Sequence, residues 1–230
     1  MSRAEVLASV DMVALRLNEQ GRLELLLLRR AAEPFAAAWA LPGVLVNGRM
    51  ADASLDAAAA RALRDKARVT PAQLEQVATV GNAERDPRGW SLSTIYLALL
   101  SPQQAVAGEE LRFVELAQVL DGSLALAFDH ADLVAQAAER LAAKAVYSSL
   151  PLFLLPARFT VTEALAAYQA CLGQPVQHTT LRGRLERMKG AGWLRDTGEQ
   201  NRPPMGRPQK VLERVGEPGE VFLFDRSMLG

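Results

Sequence analysis

The residues from Leu41 to Val69, LPGVLVNGRMADASLDAAAARALRDKARV, constrain the fold more than any other stretch of this 230-residue chain. A Leu41-Pro42-Gly43 loop leads into a segment that is alanine along one side, AAAARAL. Ser54 is placed to cap that helix, and Asp56 in its first turn suits the positive end of the helix dipole. A face of methyl groups permits close approach to a sheet. The strands for such a sheet are at hand. Val10–Leu17 (VDMVALRL) is rich in strand formers, and Leu23–Arg30 (LELLLLRR) is a continuous apolar run of the kind that builds a strand buried on both faces. Asn18-Glu19-Gln20-Gly21 between them is turn chemistry, so the two are expected to pair as a hairpin.

Further strands are expected at Thr79–Gly81, Leu92–Leu100 and Leu111–Leu116. Asp129–Tyr147 has apolar positions at three- and four-residue spacing and reads as a long amphipathic helix. Strands and helices in this order make an α/β sandwich around a mixed sheet, spanning residues 1–147. Half of the chain is hydrophobic and its formal net charge is zero, which excludes disorder and any global attraction to nucleic acid. The lone Cys171 excludes a disulfide framework and reads as a small packing residue. The expectation is a cytoplasmic protein with no signal peptide and no membrane span.

After Tyr147 the texture changes. Ser148-Ser149, Pro151 and Pro156 mark a boundary, and residues 148–230 read as a second domain. Thr160 and Glu163 form a capping box for a helix over Ala164–Cys171, which Gly173-Gln174-Pro175 ends. Thr179–Gly190 is a second helix, and two extended pieces around a Pro/Gly/Arg loop follow it. That is the order of a winged helix-turn-helix. From His178 to Arg214 basic side chains outnumber acidic ones nine to four, so the rest of the chain is net acidic. Positive charge confined to the recognition helix and wing is the footprint of a DNA-binding module. His178, Thr179 and Thr180 sit where base edges are met. Arg182, Arg184, Arg187 and Lys189 are candidates for phosphates or guanine edges, and Asn201, Arg202 and Arg207 for the wing.

Two clusters in the first half bear on chemistry. Positions 62, 65 and 66 share one face of the alanine-rich helix and are Ala62, Asp65 and Lys66. A divalent cation wants several carboxylate oxygens, and an ammonium about 4 Å away repels it by roughly 8 kcal/mol at an effective dielectric near 20. Asp65 and Lys66 read as an ion pair. The second cluster is Glu84-Arg85-Asp86-Pro87-Arg88-Gly89-Trp90, between two strands. Arginine forks suit phosphate oxygens and Trp90 suits an adenine ring, while Asp86-Pro87-Arg88-Gly89 equally suits a plain β-turn. Trp39 reads as core packing and His130 as a helix-start residue beside the Asp129 cap.

The Leu41-Pro42-Gly43 loop followed by Arg61 resembles the signature of the Nudix hydrolases, in which three helix glutamates hold Mg²⁺ against a diphosphate. Here those glutamates are Ala62, Asp65 and Lys66, and Val44 stands where the loop's second glycine belongs. An ordered set of motifs narrows the resemblance: Arg85–Gly89, Phe128–Asp132, Tyr147–Pro151, Leu154–Thr160 and Gly206–Pro208. Together they are similar to the Nudix-related transcriptional regulators of NAD metabolism. The resemblance implies a Nudix α/β/α sandwich with a mixed sheet, followed by a winged helix. It also implies a homodimeric repressor that binds double-stranded operator DNA and responds to a nucleotide effector such as ADP-ribose. Arg61, Arg85, Asp86, Arg88 and Trp90 are the expected ligand contacts, with no catalytic residues, no metal ligands and no cofactor. The alternative is a hydrolase of ADP-ribose or another nucleoside diphosphate derivative. That enzyme would need Mg²⁺ held by Asp65 with Asp52, Asp56 or Glu84.

Overall fold

The computed structural model describes residues 6–49, 52–106, 108–202 and 208–224. Strands β1 (Leu7–Leu17) and β2 (Leu23–Arg29) form the expected hairpin, with Leu15 opposite Leu25. Asn18 shapes its turn, its Oδ1 accepting from the N–H groups of Gln20 and Arg22. Two short strands, β3 (Trp39–Ala40) and β4 (Gly43–Leu45), flank the Pro-Gly loop. Helix α1 (Leu55–Ala67) begins at Ser54, whose Oγ accepts from the N–H of Ala57. Then come β5 (Gln73–Asn82), β6 (Ser91–Leu99) and β7 (Leu111–Glu115). The sheet runs β3-β2-β1-β6-β5, with β4 on β1 and β7 on β2. It is mixed, because β1 and β6 are parallel and the other pairs antiparallel.

The continuous apolar strands have a simple cause. Successive side chains point to opposite faces of a sheet, and both faces are covered. Val10, Met12 and Ala14 of β1 and Tyr96 and Ala98 of β6 pack with Ala58, Ala59 and Ala62 of α1. Val13, Leu15 and Leu17 of β1 and Ile95, Leu97 and Leu99 of β6 face the other way. There they meet Leu133, Val134, Ala137 and Leu141 of a long helix, α3 (His130–Ala145). A short helix, α2 (Leu116–Leu120), intervenes after β7. The strand expected over Leu111–Leu116 therefore stops one residue early. The apolar run LAQVL buries only Leu116 and Val119, a three-residue spacing that a helix fits and a strand does not.

Beyond α3 the chain makes a 3₁₀ turn over Leu150–Leu154, whose five side chains are all buried. The Ser-Ser/Pro stretch is thus a buried junction. Ser148 Oγ donates to the carbonyl of Lys144 at the end of α3, and Tyr168 Oη donates to the carbonyl of Ser148. Residues near the end of the described chain return to close the junction: Phe224 N donates to Tyr147 O and Ser149 N to Phe222 O. A small sheet follows, β8 (Arg158–Thr160), β10 (Gln209–Arg214) and β9 (Leu194–Asn201), in that spatial order. It flanks α4 (Val161–Leu172) and α5 (His178–Gly190). Thr160 and Glu163 make the expected capping box, and Gly173 in the left-handed region ends α4. Helix, turn, helix and a two-stranded wing complete the fold. One hydrophobic core runs from β1 through α3 and Leu150–Leu154 to Leu181, Leu185 and Met188 of α5.

Candidate functional site

A cleft of about 300 Å³ opens at one end of the large sheet. Its wall takes Asp11 from β1, Arg30 from the end of β2, Gly43–Leu45 from β4 and Lys66 from α1. Arg85, Asp86 and Arg88 from the β5–β6 loop and Phe128 and His130 from the start of α3 complete it. Asp11 is a nearly buried carboxylate in a mostly apolar strand. Ser93 Oγ donates to its Oδ2 at 2.5 Å, Arg85 stands 3.8 Å from it, and His130 Nε2 is 3.7 Å from its Oδ1. This carboxylate explains the glycine of the Pro-Gly loop. A Cβ on Gly43 would come 2.2 Å from Asp11 Oδ1 and 2.9 Å from the Val10 carbonyl.

His130 is more than a helix start. Its Nδ1 accepts from the N–H of Leu41 at 2.9 Å, which leaves Nε2 carrying the proton on the Asp11 side. Burial pushes its pKa down, reinforced by Arg85 and Arg30 and opposed by Asp11 and Asp129. The ring therefore stays neutral at pH 7. Beside it, Phe128 holds a left-handed backbone (φ 55°), which is uncommon for a bulky residue. Arg30 lies over the Phe128 ring at 4.6 Å, and Phe35 meets that ring edge-on at 4.8 Å.

The five expected ligand contacts divide. Arg85, Asp86 and Arg88 lie on the cleft wall. Arg85 is buried, however, and its fork is taken by Asp129, with Nε to Oδ2 and Nη2 to Oδ1 both at 2.9 Å. It ties the loop to Asp129, the residue that precedes α3. Asp86 accepts from the Arg88 backbone and from its guanidinium at 2.6 Å, and the Arg88 hydrogen bond holds the Asp86 carboxyl below the usual carboxylate range. The Gly89 N–H donates to the Asp86 carbonyl, so the turn and the cleft wall are one structure. Arg61 and Trp90 are not on the wall. Arg61 grips Asp52 with Nε and Nη2 at 2.8 and 2.7 Å and also donates to the Leu45 carbonyl, which pins the loop ahead of α1. That hydrogen bond, helped by the Asn47 N–H, pulls Asp52 down to about 2. Trp90 packs over Gly81 and stays 44% exposed. The aromatic on the wall is Phe128. Trp39 packs partly buried against the core, with Arg112 over its ring.

The residues on α1 do not fit the Mg²⁺ that a Nudix signature implies. Ala62 is fully buried against the sheet and offers no oxygen. Asp65 pairs with Arg64 at 2.9 Å, not with Lys66 as expected, because neighbouring side chains on the outer face meet while Lys66 turns to the cleft. Asp52 is held by Arg61, and Asp56 accepts from Tyr96 Oη at 2.7 Å. Glu84 is exposed outside the cleft. Among the described residues no group of three His, Cys, Asp or Glu side chains is placed to hold a metal ion.

The second candidate surface is α5. Leu181, Leu185 and Met188 bury one stripe, and His178, Thr179, Thr180, Arg182, Gly183, Glu186 and Arg187 are exposed. Gln177 gives no side-chain cap and the first turn holds no acid, so the amides at this N-terminus are open to an anion. Arg182 and Arg187 have no ion-pair partner among the described residues. Lys189 pairs with Glu186 at 2.7 Å. Arg184, expected as a base or phosphate contact, turns inward instead. Its Nη1 and Nη2 donate to the carbonyls of Ala145 and Val146 at 3.2 and 2.6 Å, and its guanidinium lies 5.0 Å over Phe224. The end of α3 offers unpaired carbonyls and the negative end of its dipole, which attract this cation. Asn201 and Arg202 are exposed at the tip of β9, and Arg207 lies outside the described residues. Among the described residues no helix is long and apolar enough to cross a membrane.

A ligand-sized cleft in a Nudix-type sheet, joined through one core to a winged helix, defines a sensor-type DNA-binding protein. The comparisons with known proteins agree. The ADPR-responsive transcriptional repressor NtrR of Acinetobacter baylyi is 42% identical over 183 residues, which cover 78% of this chain and 72% of that protein. NrtR of Shewanella oneidensis superposes with a TM-score of 0.85 at 37% identity, over 95% of this chain and 98% of its own. The same protein complexed with a 27mer DNA gives 0.84 at 36% identity, over 94% and 97%. Its Nudix domain complexed with ADP ribose gives 0.54 at 39% identity, over 60% and 90%. No family model matches the chain. The chain belongs to the NrtR family of Nudix-related transcriptional repressors.

Proposed function

We propose that this chain is a transcriptional repressor whose cleft binds ADP-ribose and whose α5 and wing bind operator DNA, with the ligand altering DNA affinity. The observation that carries the reading is the outer face of α5. Thr179, Thr180, Arg182 and Arg187 are exposed there at an uncapped helix N-terminus, on a module with the order of a winged helix. Relatives with both a DNA complex and an ADP-ribose complex support it. A two-fold dimer reading a pseudo-palindromic operator follows from the family resemblance and the usual symmetry of such readers. Regulation of NAD or related nucleotide metabolism follows from the same resemblance.

Anisotropy of labelled DNA from upstream of the chain's own gene and its neighbours, against scrambled DNA at fixed salt, tests the reading. Preference for one sequence, shifted by ADP-ribose, is the expected result. Equal affinity for every sequence tried, with no response to ADP-ribose, contradicts it. Analytical ultracentrifugation of the DNA complex reports whether two chains bind one site.

A further inference from the structure

The charges on the cleft wall do not cancel. Arg85 is paired with Asp129 and Arg88 with Asp86. Arg30 donates only to the backbone carbonyls of Pro34 and Ala32, and Lys66 has no ion-pair partner among the described residues. Burial pulls the Arg30 pKa down, Arg88 adds to this, and the charges of Asp86, Glu33 and Asp11 oppose it without forming an ion pair with it. Asp11 is already engaged by Ser93 and Ser9 and stands close to Arg85 and His130. Two cations with no ion pair among the described residues line one cleft, Arg30 just past the end of β2 and Lys66 on α1. A diphosphate carries about two negative charges at pH 7, and Lys and Arg are its usual protein partners.

We propose that Lys66, together with Arg30, holds the ligand's diphosphate directly, doing the work that a divalent cation does in a Nudix enzyme. This rests on the ADP-ribose reading of the cleft. The charge logic is an inversion. A carboxylate at position 66 repels a diphosphate unless a divalent cation bridges them, whereas an ammonium there attracts it without a bridge. Binding then needs no metal, and the same replacement withdraws the site from metal-assisted hydrolysis. Added Mg²⁺ competes, because it neutralises the diphosphate that the two cations would otherwise meet.

Calorimetric titration of the full chain with ADP-ribose, and separately with inorganic pyrophosphate, in EDTA and in Mg²⁺ tests this. The expected result is tight binding in EDTA that Mg²⁺ leaves unchanged or weakens. Lys66→Ala should weaken binding in EDTA by about tenfold, the loss of one charge-assisted contact, and melt at the wild-type temperature since Lys66 is exposed. Lys66→Glu should weaken it further and regain part of the loss when Mg²⁺ is added. Wild-type binding that appears only with Mg²⁺, or Lys66→Ala affinity within twofold of wild type, overturns the inference and leaves the ADP-ribose reading standing. Lys66-dependent pyrophosphate binding without any ADP-ribose binding does the reverse. Failure to bind either ligand in either buffer overturns both.

Discussion

Replacing Arg184 with alanine separates two roles that sequence alone assigns to the same kind of residue. Its fork donates to two carbonyls at the end of α3 and covers the Phe224 ring. A hydrogen bond from a charged group contributes about 1.5–3 kcal/mol when its acceptor is shielded, and one facing water much less. A cation at a helix C-terminus adds about 0.3–1 kcal/mol, and a partly exposed cation–π contact about 0.5–1 kcal/mol. One bond is part-buried and the other exposed, so the low ends apply. Arg184→Ala should therefore destabilise the chain by about 2–3 kcal/mol in urea denaturation. Arg184→Lys should fall between, because an ammonium cannot span two carbonyls as a planar fork does. DNA affinity of the folded Ala variant, measured at fixed salt well below the denaturation midpoint, should change far less than that of Arg182→Ala. Wild-type stability combined with loss of binding to the preferred DNA sequence alone would refute the reasoning and return Arg184 to the base-reading face.

Gly183 lies on the exposed face of α5 with nothing within 4 Å of where a Cβ would stand. Gly183→Ala should raise stability by about 0.8–1 kcal/mol while weakening DNA binding if the helix backbone approaches a groove closely. A variant that gains stability without any change in binding would show that the glycine is not a contact point. Stability should fall as pH drops below the ordinary histidine value of about 6.5. Buried His130 has a lowered pKa in the folded chain, so the unfolded chain takes up a proton that the folded one refuses. The loss should continue until the folded value is reached, and comparing His130→Gln with wild type at pH 7.5 and 5.5 measures it. Asp52, pulled down to about 2, stabilises above the ordinary carboxylate value and loses its contribution as pH falls toward 2. Asp52→Asn should flatten that acid limb in a pH series of thermal melts.

The sheet and its two helical layers were legible because their cause is periodic. Strands covered on both faces must be largely apolar, and β1, β2 and β6 are, with polar residues confined to a few positions such as Asp11 and Ser93. The capping box at Thr160 was legible because its chemistry is local. What escaped was set by distance. Two-residue β3 and three-residue β4 exist only because β2 and β1 offer them partners. Asp11 did carry a signal, a single carboxylate inside an apolar strand, but its partners Ser93, Arg85 and His130 lie 82, 74 and 119 residues away in the chain. Arg182 and Arg184 look alike in a basic run, and helical phase tells them apart. At about 100° per residue, position 184 falls beside the buried stripe of Leu181, Leu185 and Met188. Position 183 falls opposite it, with Arg187 and Glu186 on either side of the exposed face.

The two surfaces meet in α3. This helix of 16 residues is about 24 Å long. At its start Asp129 is held by Arg85 and His130 by the Leu41 amide, both on the cleft. At its end the carbonyls of Lys144, Ala145 and Val146 are taken by Ser148 and by Arg184 of α5. Between them Arg140 and Lys144 clamp Glu75 of β5 at 3.0 and 2.6 Å. A ligand can change DNA affinity only by the difference in its interaction with two arrangements of the protein, and the DNA must change ligand affinity by the same factor. Both requirements are met most simply if the two arrangements differ in how α3 sits. Arg85 is then the ligand-side handle and Arg184 the DNA-side one. On this account Arg184→Ala should reduce the shift that ADP-ribose produces in DNA affinity even where basal affinity survives. An undiminished shift would place the coupling along another route, through β1 and Leu150–Leu154.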